Sequence, residues 1–191
     1  MSRATRSSFD AFCGDAIDLL QRARVAYLII GGIAVAVVGE PRVTADLDVV
    51  AYLDTDGAEA LIEQARAAGF AVAADEREQL RDTGTLRFRK GRFQLDIILA
   101  SLPFEDAARA RAHRQKLFGR TVPLPTPEDL ILFKVLAGRD KDLVDAVGVA
   151  RRHLASLDVR YLVSTIDGIC DLAEDLGPRQ RLDEVIRKAG T

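Results

Sequence analysis

The sequence predicts an α/β (α+β) protein: a core built on a mixed sheet over residues 1–124, then a bundle of helices over residues 125–191. Three observations predict it. Short apolar runs bounded by glycine alternate with helical stretches as far as Leu124. Pro123, Pro125 and Pro127 then punctuate the chain. Beyond them every segment has the apolar spacing of a helix.

In chain order, residues 8–24 place Phe9, Phe12, Cys13, Ile17, Leu19 and Leu20 near helical spacing, with Ser8 as N-cap. Tyr27 to Ile30 reads as a buried strand that stops at Gly31-Gly32, and Ile33 to Val38 as a short helix. Leu47 to Leu53 reads as a second strand, Thr55 to Ala68 as a helix closed by Gly69, and Phe70 to Ala73 as a further strand. Thr85–Arg89 and Phe93–Leu99 flank Lys90-Gly91-Arg92 as a hairpin, and Lys116 to Leu124 makes another strand pair around Gly119. Helices follow over 127–138, 141–156, 158–176 and 179–188.

Composition narrows the class. With 48% hydrophobic and 29% charged residues the chain is ordinary globular protein. MSRATRSS carries no apolar run, so no secretory signal is expected. The longest apolar stretch, Val25 to Val38, is broken by two glycines and is too short to span a bilayer. Cys13 and Cys170 match no metal-ligand spacing, which points to a reducing cytoplasm and no membrane association. The net charge of −2 hides a gradient: residues 87–120 hold nine basic side chains against three acidic ones. Such a segment favours an anionic partner, or is simply a solvated basic face.

The chemistry concentrates in GGIAVAVVGEPRVTADLDVV, residues 31–50. Asp46 and Asp48, two apart on a strand, leave the same face. Neighbouring carboxylates repel, and a divalent cation neutralises them. Asp96 lies inside the apolar run Phe93 to Leu99, where an unpaired acid is costly. If that strand lies beside the one holding Asp46 and Asp48, the three carboxylates form a cluster suited to two Mg²⁺ ions and a nucleoside triphosphate. Gly31 and Gly32, between a strand and a helix start, let backbone N–H groups approach a phosphate. Arg42 and Thr44 stand ready to contact phosphate or to brace the acidic strand. Lys134 interrupts an apolar helical face one turn from Leu130 and Gly138, where it can neutralise leaving phosphates. Asp142 and Asp145 share a helix face, with Asp140 and Asp142 read as an exposed, salt-bridged turn. His113 and His153 sit among arginines and are expected at the surface.

Residues 27–50, with Gly31-Gly32, Asp46 and Asp48, resemble the signature of the polymerase-β-type nucleotidyltransferase superfamily. Residues 128–146, through Lys134, Ala137, Arg139, Lys141-Asp142 and Asp145, resemble the AbiEii/MenT group of bacterial nucleotidyltransferase toxins. The resemblance implies a polymerase-β-type nucleotidyltransferase core followed by a helical bundle. It implies catalytic roles for Asp46, Asp48, Asp96, Lys134 and Asp145, with metal held by the first three. It also implies an RNA acceptor, the 3′ end of tRNA, and a cognate antitoxin as partner. Two other functions stay open. One is transfer to a small molecule such as an antibiotic, since enzymes that adenylylate lincosamides also open with Gly-Gly and Asp-x-Asp. The other is a nucleotide- or RNA-binding module without catalysis.

Overall fold

In the computed structural model, residues 3–190 are described. Helix α1 (Arg3–Arg22) leads to strand β1 (Ala26–Ile30), α2 (Gly31–Val38), β2 (Asp46–Tyr52), α3 (Thr55–Ala67), β3 (Ala71–Val72) and α4 (Glu76–Thr83). The hairpin β4 (Thr85–Lys90) and β5 (Phe93–Leu99) follows, then α5 (Pro103–Arg111) and the hairpin β6 (His113–Leu117) and β7 (Arg120–Leu124). Helices α6 (Pro127–Ala137), α7 (Asp140–His153), α8 (Val159–Ala173) and α9 (Gly177–Ala189) complete the described chain. None of the described helices is long and apolar enough to cross a membrane.

Packing divides the chain into two compact units. Of the described residues, one comprises those up to Gly32 together with 43–124, the other 33–42 and those from Pro125 onward. The segment 33–42, which the sequence reading places with the sheet, packs with the helices.

The first unit is built on a five-stranded mixed sheet in the order β1-β2-β5-β4-β3. β2 and β5 run parallel, and the other neighbours run antiparallel. Alternation decides its two faces. Leu47, Val49 and Ala51 of β2, Leu95 and Ile97 of β5, and Leu86 and Phe88 of β4 are fully buried or nearly so. Phe9 and Phe12 of α1 meet Phe93 at ring-centroid distances of 5.2 and 5.5 Å, which fixes the helix against this core. The alternate residues Asp46, Asp48, Arg87, Arg89, Gln94 and Asp96 keep some access to solvent.

In the second unit α6 shows why a helix starts and stops where it does. The Thr126 hydroxyl accepts the Asp129 N–H at 3.2 Å, Pro127 opens the first turn, and Gly138 closes it in the left-handed region at φ 68°. Leu130, Ile131, Leu132 and Val135 are buried, and α6 packs with α7, α8 and α9, whose buried residues include Val149, Ile166 and Leu182.

Four details differ from the sequence reading. Helix α1 begins at Arg3, so Ser8 lies inside it rather than capping it. Helix α2 begins at Gly31 directly after β1, and β6 begins at His113. Helices α4 and α5 are additional. Among its residues α4 buries Glu76 and Leu80 and is otherwise polar, which leaves no apolar stripe to read. Helix α5 is set by Pro103 and by Glu105, whose carboxylate accepts the N–H groups of Ser101 and Leu102 at 2.6 and 2.7 Å.

Candidate active site

The parallel pairing of β2 with β5 sets Asp48 directly beside Asp96 and Asp46 beside Gln94. Three carboxylates therefore share one face of adjacent strands, as the sequence required if those strands were neighbours. Their side chains, however, do not converge. Asp96 is spoken for: Arg87, its antiparallel partner on β4, donates from Nε to Oδ1 at 2.8 Å, and Gln94 donates to Oδ2 at 2.8 Å. Among the described residues no group of three His, Cys, Asp or Glu could hold a metal ion. Asp96 is thus paired with a guanidinium on the neighbouring strand. This ion pair is partly exposed, and opening it costs on the order of 1 kcal/mol or less. Asp46 is exposed and Asp48 half-buried, and carboxylate oxygens on an accessible face are the donors Mg²⁺ takes. Oxygen donors of this kind suit a divalent ion, and Asp96 would join them once Arg87 releases it.

Gly31 is the residue that makes room for Asp48. A Cβ at Gly31 would lie 2.0 Å from Asp48 Oδ2, and the residue sits at φ +64°. Both space and backbone conformation exclude another side chain there. Gly31 and the buried Gly32 open α2, whose first backbone N–H groups and dipole favour negative charge. Thr44 braces the start of β2: its hydroxyl donates to the Asp46 carbonyl at 3.2 Å and accepts the Asp46 N–H at 3.4 Å.

The remaining expected site residues lie in the second unit and meet one another. Lys134 is 4% exposed, and its ammonium donates to Asp142 Oδ1 and to Asp145 Oδ2, both at 2.8 Å. Arg42 grips Asp145 with a two-pronged fork, Nε to Oδ1 at 2.9 Å and Nη2 to Oδ2 at 3.1 Å. Arg139 closes the network by donating to Asp142. Three cations and two carboxylates thus satisfy one another. Asp142 is fully buried rather than part of an exposed turn, while Asp140 is exposed. Burial alone would raise the Asp142 pKa, but hydrogen bonds from Arg139 and Lys134 outweigh it and hold the group below the usual carboxylate range.

The same unit ties down the segment that carries Arg42. Gly39 packs so closely on α7 that a Cβ would lie 2.6 Å from Val149 Cγ2. Arg152 donates to the Gly39 carbonyl at 2.5 Å, and His153 Nε2 lies 2.7 Å from the Val38 carbonyl. His153 is therefore half-buried, with a structural task at the end of α2, while His113 is exposed on β6. Sequence reasoning missed Arg87 and Gln94 as partners of Asp96, and it missed that the salt-bridged Asp142 is buried against Lys134. The hairpin register around Gly91 carried the signal for Arg87, since an antiparallel turn there sets Arg87 across from Asp96. Both cysteines are buried and free, and burial pushes the Cys13 thiol up to about 12.

No family profile and no curated protein sequence matches this chain. Solved structures do match. The antibiotic-resistance factor ANT(2″)-Ia in solution aligns with a TM-score of 0.60 at 16% identity, covering 88% of this chain and 96% of that one. JHP933 from Helicobacter pylori aligns with a TM-score of 0.52 at 15% identity, over 100% of this chain and 92% of that one. An antigenic nucleotidyltransferase-like protein from Paracoccidioides brasiliensis gives 0.51 at 15% identity, over 92% of each chain. At such identities the likeness is one of fold. The chain shares the mixed α/β fold of these structures.

Proposed function

We propose that this chain is a nucleotidyltransferase that moves a nucleoside monophosphate from a nucleoside triphosphate to an acceptor hydroxyl. One observation carries the reading: Asp48 stands beside Asp96 on an accessible sheet face, with its carboxylate in the space that Gly31 leaves. The fold supports it. Asp46 and Asp48 would hold Mg²⁺, with Asp96 as a shared ligand to a second ion. Bound there, the metal would neutralise triphosphate oxygens and acidify the acceptor hydroxyl. The acceptor oxygen forms a bond to the α-phosphorus, the bond to pyrophosphate breaks, and Asp96, freed from Arg87, takes the hydroxyl proton. Gly31 and Gly32 offer backbone N–H groups to phosphate.

Lys134 and Asp145 take a different part from the one their spacing suggests. Each is committed to a buried ion pair, and through Arg42 they anchor the segment that leads into β2 four residues later. They are positioning residues in this reading, and Thr44 is another.

The acceptor is RNA, the 3′ end of tRNA, and the chain is the toxin of a toxin–antitoxin pair in the bacterial cytoplasm. The resemblance of residues 128–146 to the AbiEii/MenT group supports this, as do the exposed Arg89, Arg92, Arg114 and Lys116 of the basic segment. A specific observation favours a second reading, transfer to an antibiotic. ANT(2″)-Ia, which shares the fold, has been crystallised with adenylyl-2″-tobramycin, here with a TM-score of 0.53 at 16% identity.

The test is incubation with Mg²⁺ and each nucleoside triphosphate radiolabelled on its α-phosphate, with total tRNA or tobramycin as acceptor and Asp48→Ala alongside. Label entering tRNA with the unaltered protein alone supports the RNA reading. Label on tobramycin supports the second. Label on neither, with every nucleotide, removes the transferase assignment in favour of a silent binding module.

A further inference from the structure

A cavity of about 500 Å³ in the sheet unit is lined by Arg24, Arg109 and Arg114, with Gln21, Tyr27 and Thr121 among the polar groups and no carboxylate in its walls. Three guanidinium groups around one cavity repel each other unless an anion joins them. Arg24 and Arg114 are exposed, and among the described residues no ion pair holds either of them. Arg109 keeps its guanidinium 4.8 Å from the centroid of the Tyr52 ring, with Asp106 as a surface partner at 3.5 Å.

Arg24 carries a second, independent sign. The end of α1 is closed by Val25 N–H donating to the Leu20 carbonyl, with Arg24 between them in the left-handed region at φ 55°. Glycine is the least costly residue at that position. An arginine held there, where Phe118 and Glu174 show the same backbone elsewhere, keeps its charge at the cavity against a backbone penalty.

Position then selects the ligand. Tyr52, under Arg109, lies on β2 four residues from Asp48 and on the same strand face. Arg109, in the cavity wall, therefore stands over a point on β2 roughly 13 Å along the strand from Asp48. A ligand that reaches both places must carry phosphates at intervals along a chain. We propose that Arg24, Arg109 and Arg114 form a phosphate-binding pocket that holds the backbone of a single-stranded nucleic acid at a distance from the acids. This deepens the RNA reading above and rests on it for the acceptor's chemistry.

Binding is read without nucleotide or metal, so that a failure of transfer and a failure of the pocket are separable. The probe is a fluorescent unstructured 12-nucleotide RNA, followed by anisotropy between 50 and 200 mM salt. The variant is Arg24→Gly with Arg114→Gln; glycine removes the charge at Arg24 while easing its backbone, so a loss does not come from misfolding. The expected result is affinity weakened at least about tenfold at 50 mM salt. The slope of log K against log salt should become shallower by about 1.4, since two phosphate contacts are lost. Arg77→Gln with Arg81→Gln on α4 removes the same charge elsewhere and should change both far less. Unchanged affinity and slope in the first variant overturn the proposal, and so does an equal loss in the second. Inorganic phosphate that protects Arg24 and Arg114 from arginine-modifying reagent, with RNA binding unaffected by the substitutions, also overturns it in favour of a small-phosphate site.

Discussion

Asp46 and Asp48 of the sheet unit and Asp142 and Asp145 of the helical unit are both pairs of aspartates facing one way, yet their surroundings are opposite. Asp142 is fully buried, Asp145 nearly so, and between them they accept hydrogen bonds from Lys134, Arg42 and Arg139. Asp46 is exposed and Asp48 half-buried, with the Asp48 carboxylate in the space that Gly31 leaves. Carboxylates already satisfied by protein cations hold structure together. Carboxylates left accessible beside one another retain the capacity to take a metal from solution. The largest test of that division is Asp48→Asn. Nucleotidyl transfer should fall on the order of a thousandfold, because the substitution keeps shape and removes the charge that a cation needs. Stability should change by less than about 1 kcal/mol. A variant that turns over normally, or that unfolds, would place Asp48 on the structural side.

Asp142→Ala should behave in the reverse way. Removing it leaves Lys134 buried with one partner fewer, at a cost of about 3–5 kcal/mol. In a chain of this size that lowers Tm by roughly 6–20 °C, read by calorimetry. Replacing the pair together, Lys134→Met with Asp142→Leu, should recover part of the loss, since no unpaired charge then remains at that contact. If Asp142→Ala melts like the parent, the buried network is not what holds α6 to α7.

This contrast explains what could be read from residues alone. The α/β core and the helical C-terminal part follow from periodicity, and the pairing of the Asp96 strand with the Asp46 strand stood only as a condition that the register meets. What could not be read is how each charge is spent. Arg87 lies nine residues before Asp96 and reaches it only because the turn at Gly91 sets their register. Lys134 looks like an exposed cation on an apolar stripe until α7 folds back and covers it with Asp142 and Asp145. Local pattern gives the face of an element, whereas partners more than a turn away depend on packing. Helices α4 and α5 escaped for the complementary reason: their start signals are clear, but α4 lacks the apolar stripe that periodicity detects.

Gly31→Ala sharpens the comparison within the sheet unit. The left-handed backbone alone should cost about 1–2 kcal/mol. The added methyl would overlap the Asp48 carboxylate and displace it, so transfer should fall with stability. In an Asp48→Gly background the same change should cost only the backbone part, measured by urea unfolding. Equal costs in the two backgrounds would mean that Gly31 serves the turn and not the acid.

The smallest effect expected concerns pH, and it belongs to the helical unit. Asp142 has its folded pKa lowered below the unfolded value of about 3.9, burial opposing and the hydrogen bonds from Arg139 and Lys134 prevailing. A lowered folded pKa means that the unfolded chain takes up the proton first as acid is added. The stabilisation is therefore complete above about pH 5 and fades as pH falls below 4 toward the folded value. The groups facing Asp142 are Lys134 and Arg139, and Asp145 shares Lys134 with it. Urea unfolding at pH 7, 5 and 3.5 should show Asp142→Asn less stable than the parent at pH 7, with the gap narrowing only at the lowest value. A gap that stays constant to pH 3.5 would mean that Asp142 contributes through packing and hydrogen bonding, with its charge immaterial, and the line drawn between the two aspartate pairs would have to be redrawn on shape alone.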